Sequence, residues 1–299
     1  MTVLPITKMH GIGNSYVLID DFHGNLETRF DYRALAKAIS DKSYGVGSDG
    51  LLVAREGKLA PYWMRVLNPD GSEAEMCGNG IRMFARYLHD LGLADVSIDV
   101  EVGGVSGGKT VRPYVNDDRT VTVDMGKGEI LESGKQIEVQ FYGESSGHML
   151  KDFVHGDHIS VGNPHFVVRE DTIERAKRFE EKYGSLIENH QAFQPARTNV
   201  EYVTPLNRDE LFVYVWERGA GATLACGTGA CASQFAMYKS GFTWPEAIVH
   251  LPGGDLQVVV LSDDTIMMTG PAEYIFTDAA IPDVERFLSV YQDFEKRNQ

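Results

Sequence analysis

"AEMCGNGIRMFARYL" at residues 74–88 and "LACGTGACASQFAMYK" at residues 224–239 each place a cysteine and a Gly-x-Gly turn directly before an apolar, helix-like run. The two cysteines are 149 residues apart, about half of a 299-residue chain. The same offset aligns "GNSYVLI" (13–19) with "GNPHFVV" (162–168), and between these anchors "SDGLLVA" (48–54) falls on "RTNVEYV" (197–203). Two motifs repeated at one offset and in one order point to a duplication, so the chain reads as two similar domains that contribute one Cys-Gly-x-Gly each.

The coarse elements follow the same order in both halves. "SYVLID", "DYRALAKAISD", "GLLVA", "YWMRVLN" and "NGIRMFARYLHDLG" read as strand, helix, strand, strand and helix, and "HFVV", "TIERAKRFEEKYG", "NVEYV", "LFVYVWE" and "TGACASQFAMYKSG" repeat that order. Further strands are expected in "TVTVDMG" (120–126), "AIVHL" and "DLQVVVL". In the second central helix, Ala230, Cys231, Ala232, Phe235, Ala236, Met237 and Tyr238 surround the axis, which predicts burial on most sides inside a curled sheet. The expected class is therefore α+β: two pseudo-symmetric domains, each a mixed β-barrel-like sheet wrapped around a central helix. We expect the first domain over 1–130 and the second over 131–275, with 127–140 as the crossover. The final helix, "DVERFLSVYQDFEK" within 276–299, is expected to pack back on the first domain. "GGVSGG" (103–108) reads as a hairpin tip.

Composition narrows the function classes. A chain that is 43% hydrophobic and 24% charged has the profile of a globular protein, and its net charge of −15, with no basic block, argues against nucleic acid. No stretch reaches the roughly 18 apolar residues of a membrane span, and "MTVLPITKMHGIG" lacks a signal-peptide core, so cytoplasm is the expected location. Cys77, Cys226 and Cys231 form neither a CxxC pair nor an even set, so no disulfide framework or structural metal is expected. Cys231 lies within the helix and reads as core. "GVGSDG" (45–50) matches GxGxxG literally, but it follows a helix and precedes a strand, the reverse of the dinucleotide context, and reads as a plain turn. "VHGDH" (154–158) places His155 and His158 on opposite faces if it is a strand, so it is expected to be a solvated loop rather than a metal site.

Cys77 and Cys226 stand where a glycine turn enters a helix. The first N–H groups of a helix lack intrahelical partners and can hold an anion, while the positive end of the dipole favours thiolate over thiol. Two such thiols, facing one another across an interdomain cleft, suit a definite reaction. A carboxylate held on the helix ends sets its α-carbon between two sulfurs, so one removes the α-proton and the other returns one to the opposite face. Such a pair needs no pyridoxal cofactor, begins in opposite protonation states and titrates as a couple.

The motifs "MHGIGNSYVLID", "GVGSDGLL", "NPDGSEAEMCGNGIRMFARYL", "VGNPHFVV", "TNVEYV" and "WERGAGATLACGTGACA" run through nearly the whole chain, and their order and spacing resemble the diaminopimelate epimerase family. The resemblance implies cofactor-independent interconversion of LL- and meso-2,6-diaminoheptanedioate, in lysine and peptidoglycan precursor synthesis, with Cys77 and Cys226 as the acid and base. It further implies that Gly78, Asn79, Gly227 and Thr228 bind the reacting carboxylate. Asn14, Asn68, Asn163 and Asn199 would hold the other polar groups and Arg218 the distal carboxylate, while His165 and Glu217 would hold the reacting amino group or tune the site in support of catalysis. This chain departs from the family's usual pattern at Ser15-Tyr16, Gly50, the missing proline after "DMG", and Phe276, where a tyrosine associated with homodimer packing often stands. Three alternatives stay open on the residues alone: a cofactor-free racemase of another amino acid, a Cys/His hydrolase built on Cys226 and His165, and a noncatalytic amino-acid binder.

Overall fold

A computed structural model describes residues 2–74, 76–103, 108–142 and 148–298. The chain forms two compact units, residues 1–123 with 271–299, and residues 124–270.

The first unit opens with strands β1 (Leu4–Gly11) and β2 (Asn14–Asp20), helix α1 (Tyr32–Ser40), strands β3 (Leu51–Glu56), β4 (Tyr62–Leu67) and β5 (Glu73–Ala74), and helix α2 (Gly78–Asp90). Strands β6 (Val100–Val102), β7 (Lys109–Val111) and β8 (Tyr114–Val115) follow, and β9 (Val121–Lys127) begins in the first unit and ends in the second. The second unit contains β10 (Glu129–Tyr142), β11 (Met149–Ser160), β12 (Pro164–Arg169), α3 (Ile173–Glu188), a 3-10 turn (Gln191–Phe193), β13 (Asn199–Pro205), β14 (Glu210–Glu217) and β15 (Gly221–Thr223). Helix α4 (Gly227–Lys239) and strands β16 (Glu246–Leu251), β17 (Gly254–Val260) and β18 (Thr265–Gly270) complete it, after which β19 (Glu273–Ile281) and α5 (Val284–Asn298) belong to the first unit.

The duplication holds at the level of register. Helices α2 and α4 begin and end 149 residues apart. In the first sheet, of order β19-β1-β2-β3-β4-β6-β7, Val17 pairs in parallel with Leu51, and Tyr62 with Val100. In the second, which runs β10-β11-β12-β13-β14-β16-β17-β18 within its unit, Phe166 pairs with Val200 and Leu211 with Val249, each 149 further on. Helix α4 touches β11 to β14 and β16 to β18, so the sheet curls around it. That contact explains its composition: an apolar surface on all sides suits a helix with no solvent face, and Gly229 to Met237 are all buried, Cys231 completely. Tyr238, at the end of the run, is only half-buried.

Local signals set the helix starts. Asp31 caps α1 by accepting the Arg33 N–H at 2.9 Å, and Thr172 caps α3 by accepting that of Arg175 at 3.2 Å. The turn at 45–50 lies between α1 and β3, which is not the strand-to-helix setting of a dinucleotide site.

Two expectations are corrected. The stretch 127–140 is not an unpatterned crossover, because most of it is β10, paired antiparallel with β11 from Glu129↔Ser160 to Tyr142↔Met149. "VHGDH" lies within β11 rather than in a loop, hydrogen-bonded on both sides to β10 and β12. Backbone pairing made these strands where side-chain pattern was weak. For the expected tip "GGVSGG", residues 104–107 lie outside the described residues.

Candidate active site

In the first unit, the chain reaches α2 through Cys77, whose extended backbone (φ −137°, ψ 114°) makes it the N-cap. Its Sγ accepts the Gly80 N–H at 3.2 Å, replacing the oxygen that a serine would use there. The thiol also donates to Tyr16 Oη on β2, at 3.6 Å. Asn79, buried in the first turn, donates from Nδ2 to Asn14 Oδ1 at 3.1 Å, so these two expected ligands meet. Asn68 lies in the turn after β4, where its Nδ2 is held by Ser72 Oγ at 2.9 Å.

The second unit repeats the cap. Cys226 (φ −130°, ψ 111°) is the N-cap of α4, and its Sγ accepts the Gly229 N–H at 3.3 Å, with Thr228 Oγ1 at 3.5 Å. Asn163 Nδ2 donates to Thr228 Oγ1 at 3.4 Å, and its Oδ1 lies 3.0 Å from His165 Nε2. Asn199 is committed to the backbone: its Nδ2 donates to Pro164 O at 3.0 Å and its Oδ1 accepts the Arg218 N–H at 2.9 Å. Through that bond it sets the end of β14, where Glu217 and Arg218 emerge. Arg218 is exposed, with one guanidinium nitrogen on Ala196 O at 2.7 Å, and Glu217 accepts from Thr223 Oγ1 at 2.6 Å.

The two thiols differ in burial more than in their caps, Cys77 being half-buried. Cys226 is buried, and this burial, followed by the nearby Glu217 and Glu201 carboxylates, pushes its pKa well above the ordinary thiol value. The bonds from Thr228 and the Gly229 N–H act in the opposite direction and lose. The expectation that a helix start lowers the thiol pKa is therefore overturned at Cys226: desolvation and like charge outweigh the helix end. Burial also raises the pKa of Glu217, which the Thr223 and Cys226 side chains partly offset.

Two groups escaped the reading of the sequence. Tyr16 was noted only as a departure from pattern, yet it touches Cys77. Glu201 was unnoticed within the apolar strand "NVEYV", although a carboxylate between Val200 and Tyr202 was a usable signal. It is fully buried, with Oε1 at 2.7 Å from His165 Nδ1.

Known proteins resemble this chain over most of its length. The family model described as diaminopimelate epimerase matches residues 6–131 and 158–275. The diaminopimelate epimerase of Desulfitobacterium hafniense is 41% identical over 285 residues, covering 94% of this chain and 99% of that protein. That of Agathobacter rectalis is 41% identical over 289 residues, covering 92% and 98%. Among solved structures, a phenazine biosynthesis protein of the PhzF family from Bacillus anthracis aligns with a TM-score of 0.69 at 14% identity, over 95% of this chain and all of that one. A hydroxyproline epimerase from Agrobacterium vitis gives a TM-score of 0.62 at 14% identity, over 93% and 92%; at such identities the likeness is one of fold. Family model and relatives each span the chain through both cysteine-capped helices, and the chain belongs to the diaminopimelate epimerase family.

Proposed function

We propose that this chain interconverts LL- and meso-2,6-diaminoheptanedioate by proton transfer between Cys77 and Cys226, without a cofactor. The observation that carries this reading is the repeated cap: a cysteine Sγ on the third N–H of a helix, at 3.2 Å in one unit and 3.3 Å in the other, at positions related by the duplication. Each helix start offers N–H groups to a carboxylate beside a sulfur, which is the requirement for removing or returning an α-proton. The remaining roles follow from chemistry. Arg218 keeps further guanidinium donors for a distal carboxylate, Glu217 and the asparagines suit an ammonium group and carboxylate oxygens, and Gly78, Asn79, Gly227 and Thr228 line the two helix starts.

The raised Cys226 pKa favours its thiol form, the form that returns a proton. The reading includes action in the cytoplasm and, from the family, assembly as a homodimer. Among the described residues no helix is long and apolar enough to cross a membrane.

The test is incubation of LL-diaminopimelate in D2O with wild type, Cys77→Ala and Cys226→Ala, following α-deuteration and stereochemistry. Wild type should give the deuterated meso form, and each single variant should lose epimerisation. Full epimerisation by either variant would defeat the two-thiol mechanism. Absence of exchange in the wild type would favour a racemase of another amino acid or a binder.

A further inference from the structure

A buried carboxylate lies beneath the start of α4, and the proton transfer does not use it. Glu201 and His165 are both fully buried, and Glu201 Oε2 has no hydrogen-bond partner among the described residues. From Glu201 a chain of contacts runs outward to the thiol: Oε1 to His165 Nδ1 at 2.7 Å, His165 Nε2 to Asn163 Oδ1 at 3.0 Å, Asn163 Nδ2 to Thr228 Oγ1 at 3.4 Å, and Thr228 Oγ1 to Cys226 Sγ at 3.5 Å. Both imidazole nitrogens are thus held, Nδ1 by a buried carboxylate and Nε2 by a carboxamide.

The duplication provides an internal control. At the positions of His165 and Glu201, the first half carries Tyr16 and Leu52. A Cβ on Gly229 would meet Glu201 Oε1 at 2.9 Å, and one on Gly80 would meet Leu52 Cδ2 at 3.3 Å, so carboxylate and methyl occupy matching places beneath the two helix starts. The fold therefore does not demand a charge there. The amide beside the thiol also reverses its sense. Asn14 Oδ1 accepts from Asn79, but at the place of Asn79 the second half has Thr228, whose Oγ1 takes the Asn163 N–H and turns the amide oxygen toward His165.

We propose that Glu201 is a positioning residue: through its contact with Nδ1 it fixes the His165 ring, and His165 fixes the Asn163 carboxamide with its N–H groups toward Thr228 and the substrate. The inference rests on the epimerase reading for Asn163 as a ligand, but its structural half is measured without substrate. In the full chain labelled with 15N-histidine, with the His165 signals assigned by their loss in His165→Gln, the Nδ1 proton of His165 should appear far downfield and exchange slowly, as a buried N–H bonded to a carboxylate does. In Glu201→Gln that proton should move upfield, and kcat/KM for LL-diaminopimelate should fall about tenfold or more. A His165 without such a proton in the wild type, or one unchanged in Glu201→Gln, would overturn the proposal. Should Glu201→Gln not fold, the pair His165→Tyr with Glu201→Leu restores the combination that packs in the first half; wild-type kcat/KM in that variant would equally overturn it. A wild type that lacks epimerase activity but shows the downfield His165 proton would instead defeat the epimerase reading and leave the positioning role standing.

Discussion

The two helix starts offer a matched pair of perturbations, Gly229→Ala and Gly80→Ala. Each glycine is the third residue of its helix and donates its N–H to the capping sulfur. Alanine is favoured over glycine in a helix by about 1 kcal/mol, so without steric conflict both changes would be mildly stabilising. The surroundings differ. At Gly229 the new methyl would lie 2.9 Å from Glu201 Oε1 and 3.3 Å from Cys226 Sγ, and the carboxylate cannot retreat without breaking its 2.7 Å contact to His165. At Gly80 the neighbours are Cys77 Cβ at 3.2 Å, Leu52 Cδ2 at 3.3 Å and Cys77 Sγ at 3.4 Å; the cysteine contacts nearly match those at Gly229, and a leucine methyl turns away more cheaply than the carboxylate. Overpacking costs about 1–3 kcal/mol, so Gly229→Ala should be destabilised by about 1 kcal/mol after the helix gain, and Gly80→Ala should be near neutral. Because an error of about 1 Å at a reacting group costs on the order of a hundredfold, even a displacement of a few tenths of an ångström at Cys226 should reduce kcat roughly tenfold. Thermal melts and steady-state epimerisation measure both effects. Equal stability and equal activity of the two variants would refute the argument that a fixed carboxylate lies beneath Cys226.

Other consequences concern stability. Burial, with Glu181 beside it, raises the pKa of Glu180 from 4.5 to about 7, so the folded state holds a proton that the unfolded chain releases. The stability this contributes is full below pH 4.5 and is lost as pH rises to about 7; at about 1.4 kcal/mol per unit this amounts to about 2 kcal/mol once partial solvation is allowed for. Glu180→Gln should flatten that slope and melt higher than wild type at pH 8, and parallel curves of melting temperature against pH for the two proteins would reject the assignment. Gly50→Ala should be far worse than Gly80→Ala. At φ +155° its Cβ would meet Leu67 O at 2.4 Å and Tyr16 Cε1 at 2.6 Å, for a loss of roughly 2–4 kcal/mol, and a urea midpoint within error of wild type would contradict it.

What the sequence revealed was local or repeated. The helices in "DYRALAKAISD" and "TIERAKRFEEKYG" are legible because their apolar spacing is local, and the two Cys-Gly-x-Gly segments reveal their pairing because both copies survive in one chain. Strands β10 and β11 were hidden for the opposite reason. Much of β10 is exposed, its deeply buried apolar residues are Ile137 and Val139, and its pairing with β11 depends on residues far along the chain. The expected ligands Asn14, Asn79, Asn163 and Thr228 meet beside the thiols, whereas Asn199 is occupied in holding Pro164 and Arg218, a use its sequence context does not reveal. The high pKa of Cys226 was hidden because desolvation and the approach of Glu217 and Glu201 exist only in the folded chain, while the opposing helix end can be read from neighbouring residues.

Duplication makes two equal backbones, and the proposed proton transfer uses its two thiols in opposite protonation states that exchange at each turnover. What differs between the two caps comes from side chains added to a shared scaffold. It is concentrated at a few offset-related pairs. The carboxylates that raise Cys226 are Glu217 and Glu201, and 149 residues earlier stand Asn68 and Leu52, both uncharged. The imidazole of His165 is matched by the phenol of Tyr16, which contacts Cys77 directly, while His165 reaches Cys226 only through Asn163 and Thr228. With the cap geometry held nearly constant, at 3.2 Å and 3.3 Å, burial and charge distinguish the halves: Cys226 is buried beside two carboxylates, and Cys77 is only half-buried. Replacing Glu201 by leucine and Glu217 by asparagine would bring the second half toward the first, removing the carboxylates' share of what raises the Cys226 pKa and leaving that of burial, while retaining both thiols and both helix starts.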